Sequence, residues 1–162
     1  MKIVKTNENV ILPEYKTSES AGMDIRAFFE DKMLHEIMHF GALEFKEKNG
    51  KKIMIIHPQT RVLIPTGLKI ELKKGFEGQI RPRSGFGYDT GLDVKLGTID
   101  SDYRGEIKIS AINPTYSPIV IENNTRIAQL VISKVERVSI EEVTELSETE
   151  RGSGGFGHTG TN

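Results

Sequence analysis

The chain has 162 residues, a formal net charge of −1, 28% charged side chains and no cysteine. Its length predicts one domain with one main site, and the near-neutral charge argues against nucleic acid as a partner. The absence of cysteine excludes thiolate nucleophiles, cysteine zinc sites and disulfide bonds. With no signal-peptide pattern at the N-terminus and no apolar run of about 18 residues, we predict a cytoplasmic protein that does not bind membranes.

The segment SAGMDIRA, residues 20–27, is predicted to form a strand. Asp24 and Arg26 are two residues apart, and side chains at that spacing lie on one side of a strand. The spacing therefore predicts an ion pair between these two side chains.

A short helix is predicted near residues 31–40. Apolar residues recur there at helical spacing, and Gly41 would end the helix. These apolar side chains are expected to face protein, and they are Met33, Leu34, Ile37 and Met38. The following KEKNGKK, residues 46–52, predicts a hairpin tip, because Asn-Gly favours a type I′ turn.

The same helical stretch contains HEIMH, residues 35–39, which matches the HExxH zinc motif. A catalytic zinc site also needs a third protein ligand. The extended motif HExxHxxGxxH is absent, because Gly41 falls one position early and Phe45 stands where its last histidine would be. A zinc peptidase and a two-histidine surface zinc site both stay open, with three conceivable further ligands: Glu44, Glu47 and His57.

From residue 53 onward the apolar residues come in short runs bounded by turn-forming residues. In residues 105–113, Ile107, Ile109 and Ala111 alternate with Lys108 and Ser110, which predicts a strand with one face in a core. Many short strands of this kind favour an all-β sandwich or barrel. The predicted strands lie within residues 53–57, 61–72, 78–85, 105–113, 117–124 and 126–143.

Three segments between or within these strands carry groups suited to chemistry. RPRSGFG, residues 81–87, offers guanidinium, hydroxyl and backbone N–H groups for an anion. In residues 96–109, Asp100 and Asp102 could hold a divalent metal, activate a water, or simply accept hydrogen bonds in a turn. In RIAQLVI, residues 126–132, the polar side chains in an apolar strand are expected to have partners.

The tail ETERGSGGFGHTGTN, residues 148–162, is rich in glycine and has no apolar periodicity. Such a tail often frays, but its backbone can also wrap around phosphates. An aromatic ring can stack on a base and a guanidinium can bind a terminal phosphate. The side chains suited to a nucleotide are Arg151, Phe156, His158 and Thr159.

In this order, five of these segments closely resemble the motifs of the trimeric dUTPases. The segments are AGMDIRA, RPRSG, GTIDSDYRGEI, RIAQLVI and RGSGGFGHTG. The resemblance implies a jelly-roll fold or distorted β-barrel for residues 1–147, with an insertion at about residues 30–52 that carries the short helix. Residues 148–162 would be a flexible arm that closes over the active site.

The resemblance also implies a reaction, in which dUTP is hydrolysed to dUMP and pyrophosphate by a homotrimer with shared active sites. Asp100 would be the general base, and Tyr103 would lie against the deoxyribose. Mg²⁺ would be held by the phosphates and waters, with Asp24 acting through water. The other substrate-binding residues would be Leu96, Gly97, Thr98 and Ile99 for the nucleoside, Arg83, Ser84, Gly85 and Gln129 for the α- and β-phosphates, and Arg151, Phe156, Gly157, His158 and Thr159 in the arm.

Two other classes compete with this interpretation. A dCTP deaminase resembles dUTPases in fold, but that activity depends on a glutamate where this chain has the Asp100 segment, and deaminases lack a tail of this type. A protein that only binds nucleotides is the second alternative, and four residues argue against it: Asp100, Tyr103, Arg151 and Phe156. The dUTPase reaction is therefore the prediction.

Overall fold

The computed structural model describes residues 1–30, 34 and 37–155. Most regular structure in this part of the chain is strand, as predicted from the apolar alternation. One helix is present among these residues, α1 (Ser84–Thr90). The strands are β1 (Lys2–Lys5), β2 (Met23–Arg26), β3 (His39–Phe40), β4 (Leu43–Lys48), β5 (Lys51–Ile56), β6 (Arg61–Pro65), β7 (Leu68–Glu71), β8 (Phe76–Pro82), β9 (Asp93–Val94), β10 (Gly97–Ile99), β11 (Lys108–Ile112), β12 (Ile119–Glu122) and β13 (Arg126–Lys134).

The strands form small antiparallel sheets around one apolar core. One sheet has the order β10-β8-β13-β2, and a second has the order β3-β6-β11-β9. A third has the order β12-β5-β4, and β1 pairs with β7. Sequence-distant strands are thus neighbours, which places the first four predicted motif segments in the sheet β10-β8-β13-β2 or at its ends.

The core follows the predicted alternation along the strands. In β11, Ile109 and Ala111 are buried whereas Lys108 and Ser110 are exposed. Because successive strand residues point to opposite faces, the sequence pattern places the apolar face inward. Ile107 and Leu68 are also buried, and their backbones are hydrogen-bonded to each other.

The β4–β5 hairpin confirms the predicted Asn-Gly turn. Asn49 has φ 54° and Gly50 has φ 71°, and a type I′ turn needs positive φ at both positions.

At the other end of the hairpin, Glu44 Oε1 lies 2.6 Å from His57 Nε2. The pKa of Glu44 is below its ordinary value, first because of Lys46 and then because of His57.

The segment before this hairpin differs from the predicted helix where the structure describes it. His39 and Phe40 form β3 and pair with Val62 and Arg61 of β6, so the edge of β6 replaces helical hydrogen bonds there. Ile37 is buried and Leu34 packs against the core, as expected, but Met38 is 61% exposed. Met33 and the first two residues of HEIMH, His35 and Glu36, lie outside the described residues.

Helix α1 was not predicted, because SGFGYDT has two glycines and no apolar face. None of its residues is buried, so it forms without a core-facing stripe. It ends at Gly91, which has φ 73° and donates its N–H to the Gly87 carbonyl. In the described residues, no helix has the length and apolarity needed to cross a membrane.

Candidate active site

Three predicted motif segments meet around the carboxylate of Asp24. Asp24 lies on β2 and is 7% exposed, and β13 lies between β2 and β8 in the sheet. Arg83 Nε, just after β8, donates to Asp24 Oδ1 at 2.8 Å. Arg126 Nη1, on β13, donates to Asp24 Oδ2 at 2.9 Å. Both carboxylate oxygens therefore hold an arginine.

The predicted ion pair between Asp24 and Arg26 does not form. Arg26 Nη1 donates instead to the backbone carbonyl of Asn124 at 2.7 Å. Sequence spacing identified the shared strand side but not the two arginines that approach Asp24 from other strands. The predicted partner for Arg126 is present, and it is Asp24.

Besides Lys16, two arginines near Asp24, Arg26 and Arg126, lower the pKa of the nearby Glu14 carboxylate. The Asp24 N–H donates to the Glu14 carbonyl at 3.0 Å. The pKa of Glu14 is lowered mainly by Lys16, with smaller contributions from the positive charges of Arg26 and Arg126. This end of the sheet therefore presents several positive charges close together.

Groups that could bind an anion are free beside this cluster. Ser84 and Gly85 begin α1 and are exposed, and a Cβ added at Gly85 would meet no atom within 4 Å. Gln129 is half-buried and lies opposite Asp24 and Arg81 in the strand register. The sheet thus brings together the predicted phosphate-binding residues Arg83, Ser84, Gly85 and Gln129.

Removing the carboxylate of Asp24 is expected to destabilise the fold. Asp24→Ala leaves Arg83 and Arg126 without their shared partner. The expected loss in free energy of unfolding is about 2–3 kcal/mol, below the range for fully buried pairs because both arginines keep contact with water. Denaturant titration measures the loss. The matched control is Glu71→Ala, which breaks the exposed Lys2–Glu71 pair and should cause no measurable change; equal effects in both variants would contradict this account.

The second group of predicted residues lies on β10 and in the turn that follows it. The Tyr103 N–H donates to the Asp100 carbonyl at 3.1 Å, which closes the turn after β10. Arg104 Nη1 donates to the carbonyls of Ser101 and Tyr103, at 2.8 and 2.9 Å. The Arg104 side chain therefore stabilises this turn through two hydrogen bonds to its backbone.

A cavity of about 300 Å³ opens beside β10 and this turn. Its lining includes the predicted residues Gly97, Thr98, Ile99, Asp100 and Tyr103. Predicted Leu96 is 77% exposed and is not among the lining residues. The lining combines backbone groups and apolar side chains with three charged residues, Asp100, Glu106 and Lys108, and such a mixture suits a planar ring that carries polar groups.

Five further lining residues were not predicted as site residues. Ile80 faces the cavity because it pairs with Gly97 in the β8–β10 register. The other four come from or adjoin β6 and β11, which only the folded chain places here, and they are Leu63, Glu106, Ile107 and Lys108. The pairing of β8 with β10 spans α1 and β9, so no sequence signal marks Ile80 or Leu63 as a site residue.

Asp100 also borders a second cavity, of about 380 Å³, together with Asp102, Glu77, Lys74 and Arg137. The two aspartates were predicted as possible metal ligands. Among the described residues, no three His, Asp or Glu side chains cluster as metal ligands. Asp100 and Asp102 alone would therefore supply only part of a coordination sphere.

The two groups of site residues are far apart within one chain. Ile99, next to Asp100, pairs with Gly78 on β8, whereas Arg83 follows the other end of β8. Gly78 and Arg83 are separated by about 17 Å at about 3.4 Å per extended residue. The fold brings residues together within each group and leaves the Asp100 end of the second group about 17 Å from Arg83 along β8.

The arm contacts neither group in the part that is described. Arg151 Nε donates to the Gly154 carbonyl at 3.0 Å, within its own turn. The other predicted arm residues, Phe156, Gly157, His158 and Thr159, lie outside the described residues.

Comparisons with known proteins decide which family this site belongs to. The family model described as dUTPase matches residues 50–160. Two curated relatives are named deoxyuridine 5'-triphosphate nucleotidohydrolase. The protein from Fusobacterium nucleatum is 41% identical over 162 residues, covering 99% of this chain and 96% of the relative. The protein from Nautilia profundicola is 44% identical, covering 99% and 98%. This chain belongs to the dUTPase family.

Solved structures of dUTPases share the fold of this family member. A Staphylococcus bacteriophage 80alpha dUTPase with dUPNHPP aligns with a TM-score of 0.78 at 24% identity, covering 98% of this chain and 97% of that one. The dUTPase of phage phi11 of S. aureus aligns with a TM-score of 0.71 at 21% identity, covering 91% and 98%. The predicted jelly-roll fold class is confirmed by this similarity.

Proposed function

We propose that this chain hydrolyses dUTP to dUMP and pyrophosphate. The observation that carries the proposal is the cavity beside β10, which has Asp100 and Tyr103 at its border in a member of the dUTPase family. The curated relatives, named as deoxyuridine 5'-triphosphate nucleotidohydrolases, support the same reaction. Such an enzyme keeps uracil out of DNA and supplies dUMP for thymidylate synthesis.

The uracil and deoxyribose would bind in this cavity. β10 is the edge strand of its sheet, so β8 uses the hydrogen-bonding groups on only one side of β10. Backbone groups of residues 96–99 on the other side can pair with the donor and acceptor edge of uracil. Tyr103 would lie against the deoxyribose, where a ribose 2′-hydroxyl would collide with its ring.

Asp100 would act as the general base. Its carboxylate accepts a proton from a water molecule while the water oxygen forms a bond to the α-phosphorus. The bond from the α-phosphorus to the bridging oxygen breaks, and pyrophosphate leaves with that oxygen. Asp100 is exposed at the cavity border, so water can reach it.

The phosphates would be bound by the group around Asp24. Arg83 keeps guanidinium N–H groups beyond its bond to Asp24, and Ser84, Gly85 and Gln129 are placed beside it. In the arm, Arg151 would bind the γ-phosphate and Phe156 would cover the uracil, with Gly157, His158 and Thr159 along the phosphates. These groups offset the charge of the triphosphate.

Mg²⁺ would be held by the three phosphates and by waters, where it further neutralises the triphosphate and orients it for attack. Asp24 fits a role through water rather than direct coordination. Both of its oxygens already accept hydrogen bonds from arginines, so its negative charge is compensated. Each oxygen still has a lone pair that can accept a bond from a metal-bound water.

A homotrimer would join the two groups of site residues. The separation of about 17 Å between the Asp100 end of β10 and Arg83 along β8 supports a site in which the β10 turn of one subunit meets the Asp24 group of another. The exposed apolar side chains before the arm also suit contact with a neighbouring subunit. They are Val138, Ile140, Val143 and Leu146, with exposed fractions of 78%, 95%, 52% and 88%.

Residues 1–147 would then be the catalytic β domain, with the insertion at about residues 30–52, and residues 148–162 the closing arm. A cytoplasmic location stays a prediction. The competing dCTP deaminase would release ammonia from dCTP instead of pyrophosphate from dUTP.

A nucleotide panel tests the proposed reaction. Purified protein is expected to release pyrophosphate from dUTP, but not from dTTP, dCTP or UTP, and to lose most activity when EDTA removes Mg²⁺. Chromatographic detection of dUMP and an ammonia assay with dCTP complete the measurement. Release of ammonia from dCTP would contradict the proposed reaction. Equal rates with dUTP and UTP would contradict the role of Tyr103.

A further inference from the structure

The side chain of Tyr103 is held in place by the two residues that follow Arg104. The Tyr103 hydroxyl donates to the backbone carbonyl of Glu106 at 3.0 Å. The ring also lies over Gly105, because a Cβ added there would overlap the hydroxyl oxygen and ring atoms of Tyr103. The ring position at the cavity therefore depends on where the backbone of residues 105–106 lies.

The backbone of residue 106 is itself tied to another part of the fold. Glu106 Oε1 accepts the N–H of Gly67 at 2.7 Å and the N–H of Thr66 at 3.2 Å, in the connection between β6 and β7. Thr66 Oγ1 donates to the Ile107 carbonyl at 2.6 Å, and Thr66 is 1% exposed. These three hydrogen bonds join residues 106–107 to the connection between β6 and β7.

We propose that Glu106 is a positioning residue for Tyr103. Its carboxylate fixes the backbone of residue 106 to the β6–β7 connection, and the carbonyl of that residue then holds the tyrosine hydroxyl. This inference rests on the proposed function, since it assigns to Glu106 control over how firmly the enzyme rejects a ribose 2′-hydroxyl. Glu106 also lines the cavity, so Glu106 and the ring of Tyr103 border the same space.

The physical reason is that a specificity contact excludes a substituent only if the contacting ring cannot move away. Tyr103 is 44% exposed, so its neighbours in the core do not fix it by packing alone. Without the Glu106 carboxylate, the N–H groups of Thr66 and Gly67 lose an acceptor, and only the bonds of Ile107 to Thr66 and Leu68 still tie this backbone to the β6–β7 connection. A shift of the ring would then admit UTP more readily than it would impair dUTP.

The test compares Glu106→Ala, Glu106→Gln and Asn123→Ala with the wild-type chain. Asn123 is a matched control, because its Oδ1 also accepts two backbone N–H groups, from Phe29 at 3.0 Å and Asn124 at 3.1 Å, away from the cavity. The readout is kcat/KM for dUTP divided by kcat/KM for UTP. Glu106→Ala should lower this ratio about tenfold, with Glu106→Gln and Asn123→Ala within about twofold of wild type.

A double-mutant cycle separates positioning from general loosening. Tyr103→Phe removes the hydroxyl that the Glu106 carbonyl accepts, and it should lower the same ratio. The combined Tyr103→Phe and Glu106→Ala variant should lose no more discrimination than the worse single variant. Gly105→Ala displaces the Tyr103 ring directly and should also lower the ratio. If Glu106→Ala does not fold, Gly105→Ala takes its place in the comparison.

Failure of this inference is distinguishable from failure of the proposed function. A wild-type chain that does not hydrolyse dUTP would overturn the proposed function and this inference with it. A wild-type chain that discriminates against UTP, with Glu106→Ala and Asn123→Ala showing the same ratio, would overturn only the positioning role. Full additivity of Tyr103→Phe and Glu106→Ala would overturn it as well.

Discussion

Replacing Asp100 by asparagine is expected to lower the turnover of dUTP at least about 100-fold, the scale of a lost general base. Asparagine has nearly the same shape but cannot take the proton of the attacking water. The residue is exposed at the border of the cavity, so the substitution removes no buried contact. Nucleotide affinity should therefore change little, which titration calorimetry with dUMP measures alongside kcat from pyrophosphate release.

Asp102→Asn is the matched control for this substitution. Asp102 lies in the same turn, two residues away, and its replacement changes the net charge by the same amount. Turnover in this variant should stay within about threefold of wild type, since electrostatic screening weakens the effect of an exposed charge. A loss shared equally by both variants would indicate a general charge effect rather than proton transfer at Asp100.

Truncation after Glu150 is expected to lower turnover at least about 1,000-fold, the scale at which an arginine stabilises charge in phosphoryl transfer. In the described residues, the hydrogen bonds of the removed segment stay within its own turn or reach only Thr149. The fold should therefore survive, and thermal unfolding of the truncated chain should match that of the full chain. Lost activity together with an unfolded chain would remove the support for a closing arm.

Mixing the two inactive chains adds a test of the shared site. Asp100→Asn chains and truncated chains are denatured together and reassembled. In the proposed homotrimer one subunit would supply Asp100 and another the arm, so mixed assemblies should recover part of the activity. Each chain reassembled alone is the control. A mixture as inactive as the two controls would show that each site uses both features from one chain.

Local patterns in the sequence predicted much of the fold. The Asn49-Gly50 pair predicted a hairpin turn that the positive φ angles confirm, because few other residues adopt them without strain. The alternation from Ile107 to Ala111 predicted which face of β11 is buried. At residues 39–40 the local pattern was misleading, because apolar spacing does not reveal that the edge of β6 is available for pairing.

The sequence by itself determined the strand-rich class, the core-facing positions and the five segments that resemble dUTPase motifs, since these depend on periodicity and residue type along the chain. Only the tertiary structure decided that Asp24 binds Arg83 and Arg126 rather than Arg26. Likewise, only the fold places Glu106 against Thr66 and Gly67. The physical reason is that the partner of a charged or polar group is set by which strands become neighbours, and these neighbours are distant in sequence.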